Sequence, residues 1–302
     1  MSGNILVTGG SGFVGSHLVG AFAETGNSIV ASYDVATAKD WCAGNIVTLK
    51  GDVFDSDRLV KAMRDNEISN VIHLVALVSI PECRRAPDSS FRLNVASLQS
   101  TLEAMRLSGA ERLVFPSTAV VYGAADNTKV DESVEPRPTN TYGCHKLAAE
   151  SIIRGYAEDY GFKTTILRIF NVYGDLEREQ GVLSIFIRRA LAGKAIVVNG
   201  GDQVRDFIHV QDVIEAFLRS LHSTATFDKI INVGSGVRLS IRDVAQMVRE
   251  GFPSSKVDYR PLNEEDHGHC ADISRMSALL SIDPVDPRKG IPSFIKECRT
   301  RA

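Results

Sequence analysis

The chain has 302 residues, enough to bury a sizeable core and, at roughly 150 residues per domain, to form about two domains. Apolar residues make up 44% and charged residues 24%, which excludes a disordered or collagen-like chain. The 34 basic and 37 acidic residues leave a net charge of -3, which offers no electrostatic footprint for nucleic acid. No apolar run approaches the roughly 20 residues of a transmembrane helix, so no membrane association is expected. The first eight residues, Met1 to Thr8, carry no Lys or Arg ahead of their short apolar run and do not read as a signal peptide. Cys42, Cys83, Cys144, Cys270 and Cys298 are scattered without a CxxC pair, which suits reduced thiols in a cytoplasmic protein.

In chain order, Ile5-Leu6-Val7 predicts a first strand, and a helix follows from Phe13 to Thr25. Further strands are expected over Ser28 to Tyr33, Asn45 to Leu49, Asn70 to Val75, Arg112 to Phe115 and Thr164 to Arg168. Helices are expected near Asp57 to Arg64, Ser89 to Leu107 and Tyr142 to Tyr160. Apolar strands without period-2 alternation, separated by amphipathic helices, imply a parallel sheet covered on both faces, hence a doubly wound α/β fold. After about Gly174 the rhythm changes. Helices near Val182–Leu191, Gln211–His222 and Ile241–Glu250 alternate with short strands at Ala195–Val198 and Val257–Tyr259. This reads as a 1–174 cofactor domain and a smaller 175–302 substrate lobe, with the segment near 205–235 returning to the first domain.

Thr8-Gly9-Gly10-Ser11-Gly12-Phe13-Val14-Gly15 joins the first strand to the first helix with G-x-x-G-x-x-G spacing. Such glycines let the backbone approach a pyrophosphate and bring the helix N-terminus, with its free N–H groups and positive dipole end, to the phosphates. Asp34 ends the second strand, where a carboxylate accepts from adenosine ribose hydroxyls; a cap or loop role is the alternative. No Arg or Lys occurs in Val35 to Ala38, so a 2′-phosphate would lack a counterion and NAD is favoured over NADP. Asp52 and Val53, after the third strand, would flank the adenine, although Asp52 serves equally well as a turn residue after Gly51. Tyr142 and Lys146 stand at i and i+4, on one helix face. A cation there favours the phenolate, so the tyrosine can act as acid and base on a substrate hydroxyl. Thr118 supplies a hydroxyl near the carboxyl edge of the sheet.

These motifs, together with His73 to Ala76, Phe115 to Gly123, Leu167 to Gly174, Arg205 to Val210 and Ile231 to Gly234, resemble the NAD-dependent sugar epimerase/dehydratase family of extended short-chain dehydrogenases/reductases along nearly the whole chain. The resemblance implies a Rossmann-type NAD domain and a nucleotide-sugar substrate. It implies Tyr142 as acid/base, Lys146 on the nicotinamide ribose and Thr118 on the reacting oxygen. It further implies a cofactor lined by Gly9, Gly12, Phe13, Val14, Gly15, Leu74, Val75, Ala76, Asn94, Ser117 and Phe170. Val78, Ser79, Asn171, Arg205 and Asp266 would face the substrate. Arg205 suits phosphate by its fork; pairing with Asp206 or Asp202 is the alternative.

The family's 4,6-dehydratases carry an Asp-Glu pair after the catalytic Thr, and its decarboxylases Ser-Glu; here Ala119-Val120 follows Thr118. The expected activity is therefore 4-epimerisation of the UDP-glucose/UDP-galactose type, through a transient 4-keto sugar. A net sugar dehydrogenase or 4-keto-sugar reductase is the runner-up, and a non-catalytic NAD-binding sensor the third reading. The family's Arg-x-Gly-Asp element is replaced by Asn263-Glu264-Glu265-Asp266, with Arg260 as the nearest substitute. His267 and His269 read as solvated loop residues, and no metal is expected. The family commonly forms homodimers through two long helices; Leu93, Leu98, Ala148 and Ile152 belong either to that face or to the chain's own core.

Overall fold

The computed structural model describes residues 3–25, 30–35, 44–124, 129–177, 181–262 and 268–301. The N-terminal part runs β1 (Asn4–Thr8), α1 (Phe13–Thr25), β2 (Val30–Asp34), β3 (Ile46–Lys50), α2 (Ser56–Asp65) and β4 (Ile68–His73). Two short helices, α3 (Ile80–Arg85) and α4 (Pro87–Phe91), lead through a π-turn (Arg92–Ala96) into α5 (Ser97–Ser108). Then come β5 (Arg112–Thr118), a 3₁₀ turn (Ala119–Tyr122), β6 (Lys129–Val130), α6 (Thr141–Tyr160), β7 (Lys163–Ile169) and β8 (Asn171–Tyr173). The remainder is α7 (Val182–Leu191), β9 (Ile196–Asn199), β10 (Val204–His209), α8 (Val210–His222), β11 (Lys229–Val233), β12 (Arg238–Ser240), α9 (Ile241–Gly251), β13 (Val257–Arg260), β14 (Cys270–Ala271), α10 (Ser274–Leu280) and α11 (Pro287–Arg301).

The central sheet has the order β11-β7-β5-β4-β1-β2-β3, with every pairing parallel. Both faces are covered. Ile5 and Val7 pack with Leu18, Phe217 and Met276 on one side, while Leu6 packs with Leu98, Leu102 and Ile153 on the other. Strand residues alternate between faces, so the central strands β1 and β5 are buried along nearly their whole length. The second lobe has its own core around Phe186, Ile196, Val244 and Ile295. Its β10 pairs with β8 and β12, while β11 returns to the central sheet beside β7. Arg205 to His209 thus lie in the three-stranded sheet, Val210 opens α8, and Lys229–Val233 lie in the central sheet.

Local chemistry sets several boundaries. Asn140 caps α6 by accepting from the Gly143 N–H at 3.0 Å, and Ser240 with Asp243 forms a capping box on α9. The expected Asn70–Val75 strand stops at His73. Beyond it, the Leu77 N–H donates to Asn94 Oδ1 at 3.0 Å and the Leu77 carbonyl accepts from Asn94 Nδ2 at 2.9 Å. The π-turn carries Asn94 into that position, so the helix expected over Ser89–Leu107 is interrupted there. Helix α11 was not expected, although Ile291, Phe294, Ile295 and Cys298 follow an i, i+3, i+4, i+7 pattern and are all buried. Leu98 is fully buried in its own core and so lies on no outer face. Ala148 is exposed, and Leu93 and Ile152 are half-buried.

Candidate active site

The carboxyl ends of the parallel strands converge on one edge, where a doubly wound sheet opens its crevice. At the end of β1 the chain turns through Gly9 to α1. A Cβ on Gly15 would lie 2.3 Å from the Gly9 carbonyl oxygen and 2.8 Å from Gly10 Cα, so only glycine permits this approach of helix to loop. The Ser11 N–H donates to Asp34 Oδ2 at 3.2 Å, and the Ser11 hydroxyl donates to the same oxygen. The carboxylate at the end of β2 therefore sits beside the glycine loop. Leu74 and Val75 close the other side, their backbone 3.0 Å from the position of a Gly9 Cβ. This bare-backbone cradle, a helix N-terminus and a carboxylate beyond it fit a dinucleotide with a free adenosine 2′-hydroxyl. Phe13 and Val14 begin α1 and pack against the core. Asp52 is exposed and accepts from the Phe54 N–H at 3.0 Å, a turn interaction; Val53 is buried against the same core as Tyr33.

The second half of the site is built by β5 and α6. After Thr118 the 3₁₀ turn ends at Gly123, whose φ of 73° and close approach to the Arg137 carbonyl exclude a side chain. That approach brings the 137–140 segment, and hence the start of α6, beside the end of β5. Tyr142 lies on the first turn of α6, with the Thr118 side chain close enough to act on its hydroxyl. Lys146 follows one turn later, 3% exposed, with Nζ 4.0 Å from the Phe115 ring centroid. Burial pushes the Tyr142 hydroxyl up to about 12, against the lowering effect of the Thr118 hydrogen bond. Burial also brings the Lys146 ammonium down to about 7, opposed by the Glu150 carboxylate. The expected lowering of the tyrosine by its lysine does not show among the causes acting on Tyr142, whereas burial penalises the charged form of each.

Thr118 opens onto a cavity of about 680 Å³. Phe170, Asn171 and Arg205, all expected at the site, line the same cavity. The Asn171 amide donates to the Asp206 carbonyl at 2.9 Å, and Arg205 Nη1 donates to the Val204 carbonyl at 2.9 Å. Asp206 is buried; its carboxylate accepts from the backbone N–H groups of Ser235, Gly236 and Ala271, while Asp202 pairs with Arg242 at 3.0 Å. Val78 is exposed and Ser79 caps α3; neither lines this cavity. Asp266, with the whole 263–267 stretch, lies outside the described residues. Arg260 pairs with Asp258 at 2.8 Å. His269 is not solvated as expected. It is 9% exposed, lies edge-on to Tyr122 at 6.3 Å and lines the cavity.

Two charged residues without an expected role lie behind the site. Glu150, 1% exposed, accepts from Arg168 Nη2 at 2.8 Å and Nε at 3.1 Å, and from the Ser117 hydroxyl. Ser117 therefore bonds inward to α6. The signals were present in the sequence: an acid one turn beyond Lys146, and an arginine within an apolar strand.

The chain matches the model of the NAD dependent epimerase/dehydratase family over residues 5–234. It is 34% identical over 276 residues to a UDP-glucose 4-epimerase of Streptomyces lividans, covering 85% of this chain and 84% of that one. The fold is similar to that of the UDP-glucose 4-epimerase of Thermotoga maritima solved with UDP-glucose, with a TM-score of 0.90, 28% identity and 99% coverage of both chains. It is also similar to the Thermus thermophilus UDP-glucose 4-epimerase solved with NAD, with a TM-score of 0.88, 30% identity and coverage of 99% of this chain and 100% of that one.

Proposed function

The chain belongs to the NAD dependent epimerase/dehydratase family, and from that premise we propose that it is an NAD-dependent nucleotide-sugar 4-epimerase of the UDP-glucose/UDP-galactose type. One observation carries the choice within the family. The wall beside Thr118 is formed by Ala119 and Val120, which present no carboxylate to the cavity. An elimination that removes water from a sugar needs an acid or base at the neighbouring carbons. Proton transfer at one hydroxyl needs only the tyrosine and its support.

In this reading NAD supplies a hydride acceptor that returns the hydride to the same carbon. Thr118 orients the sugar 4-hydroxyl by hydrogen bonding. Tyr142, as the phenolate stabilised by the Lys146 charge, takes the hydroxyl proton and becomes the neutral phenol. The 4-keto sugar turns in the cavity, and Tyr142 gives the proton back to the other epimer. Phe170 walls the sugar side, and Arg205 with Asn171 addresses the diphosphate. Asp34 accepts from the adenosine ribose.

The test is conversion of UDP-galactose to UDP-glucose by the purified chain with NAD. Interconversion without lasting NADH absorbance supports the reading. NADH accumulating far beyond one equivalent per chain makes the protein a dehydrogenase instead. Neither conversion nor NADH sinks both.

The reading includes a homodimer in the cytoplasm. Exposed Ala148 on α6 and Phe91, 51% exposed at the start of the π-turn, offer an apolar outer face for a second copy. The thiols of Cys83, Cys144, Cys270 and Cys298, which stand outside any disulfide, suit a reducing compartment. A solution mass of one chain would refute the dimer.

A further inference from the structure

Tyr142, Lys146 and Glu150 are spaced four residues apart and form one stripe along α6. Glu150 does not pair with Lys146. Among the described residues, Arg168 on β7 is the cation within ion-pair distance, and it holds both carboxylate oxygens. Ser117, the neighbour of Thr118 on β5, donates to the same carboxylate. Arg168 is anchored in turn, its guanidinium 4.8 Å from the Tyr122 ring centroid, while the Tyr122 hydroxyl donates to Asn232 at 2.6 Å. The carboxylate is therefore fixed from its far side. It cannot swing onto Lys146 and draw the ammonium away from Tyr142. Glu150 stands one helical turn from Lys146, and its carboxylate acts on the ammonium from that fixed place, an electrostatic support already in place before reaction.

We propose that Glu150 is a positioning residue of the reaction: fixed by Arg168 and Ser117, it supports the Lys146 ammonium one turn away on α6, on the stripe that carries Tyr142. This rests on the acid–base reading of Tyr142 given above. The singly protonated Tyr142–Lys146 pair has two forms, neutral tyrosine with neutral lysine, and phenolate with ammonium. Only the second is a base strong enough for the sugar hydroxyl. Burial favours the first, and the Glu150 charge favours the second.

The other groups around this pair do not supply that charge. His73 of β4, fully buried and held neutral, lies near Lys146. Cys83 of α3 lies near Tyr142 and disfavours its phenolate. His145 on α6 hydrogen-bonds to Ser90 of α4, Arg92 of the π-turn stacks on Phe54, and Glu103 of α5 is held by Arg106 and Tyr156. Tyr122 of the 3₁₀ turn stacks on Arg168.

The experiment is Glu150→Gln in the full chain with NAD, beside the double variant Glu150→Gln/Arg168→Met, which removes the arginine that the single change leaves buried and unpaired. Expected for both is a kcat lowered by about 10-fold or more, with KM for UDP-galactose within about twofold and the acid limb of the kcat profile moved down by about one pH unit. A second readout needs no turnover: in the protein carrying ¹³C-lysine, the Lys146 titration midpoint, assigned by its loss in Lys146→Met, moves below the wild-type value. If the double variant regains stability together with wild-type kcat and an unmoved midpoint, the pair is merely structural and the proposal is overturned. If the wild type interconverts no UDP-sugar but the midpoint moves, positioning by Glu150 stands and the 4-epimerase reading falls.

Discussion

Thr118 ends β5 and Tyr142 lies on the first turn of α6, and the Thr118 side chain is close enough to act on the Tyr142 hydroxyl although a long excursion of chain separates them. Neither element would bring them together alone. The turn at Gly123 and the Asn140 cap set the start of the helix against the end of the strand.

That contact predicts a graded pair of variants. Tyr142→Phe removes the proton carrier and should lower kcat by about 10²- to 10⁴-fold. Thr118→Val removes one hydrogen bond to a charge-developing oxygen and should cost about 10- to 100-fold. NAD binding, followed by fluorescence titration, should be retained in both. A Thr118→Val enzyme more damaged than Tyr142→Phe would refute the assignment of roles.

Lys146 predicts a pH-dependent stability. An unfolded lysine titrates near 10.4, and the folded one near 7 because burial lowers it. Below the folded value both states hold the proton, and the folded chain bears the whole cost of the buried charge. As pH rises from about 7 to about 10 the folded chain releases the proton first, and that cost fades. Lys146→Met should therefore gain most over the wild type at low pH, and the gain should shrink through that window. Urea unfolding at a series of pH values measures it; a difference independent of pH would contradict the argument.

Asn94 is 2% exposed and spends its side-chain amide on both backbone groups of Leu77. Asn94→Leu leaves the Leu77 N–H without that partner and its carbonyl with only the weak Cys83 thiol donor, at about 1–3 kcal/mol. The 74–77 segment should loosen, with a lower melting temperature and weaker NAD binding at unchanged Asp34 selectivity. Unaltered NAD affinity would show that the segment does not depend on Asn94.

Asp34 predicts cofactor choice. With its carboxylate beside the glycine loop, NAD should bind far better than NADP, whose 2′-phosphate would meet a like charge. Asp34→Asn should weaken NAD by about 10-fold and narrow the gap to NADP. Equilibrium dialysis with both cofactors is the measurement, and an unchanged ratio would remove Asp34 from the site.

Much of this was legible from local pattern. The glycine spacing, the acid ending β2 and the Tyr142–Lys146 interval mark local geometry, and apolar strands alternating with helices announce a parallel sheet. Less legible were the residues whose partners are distant in sequence. Asn94 was expected at the cofactor, yet its amide holds Leu77. His269 was expected in solvent, yet it packs on Tyr122. Helix α11 follows its apolar period but lies beyond every sequence motif.

By itself the sequence determined the order of strands and helices, the cradle and the reactive pair, because those depend on backbone freedom and on spacing within one helix. Only the tertiary structure decided what surrounds that pair. Glu150 and Arg168 become one buried ion pair because α6 lies across β7, and β11 rather than β10 closes the central sheet. The strength of a buried charge depends on the groups packed around it, and those come from different parts of the chain.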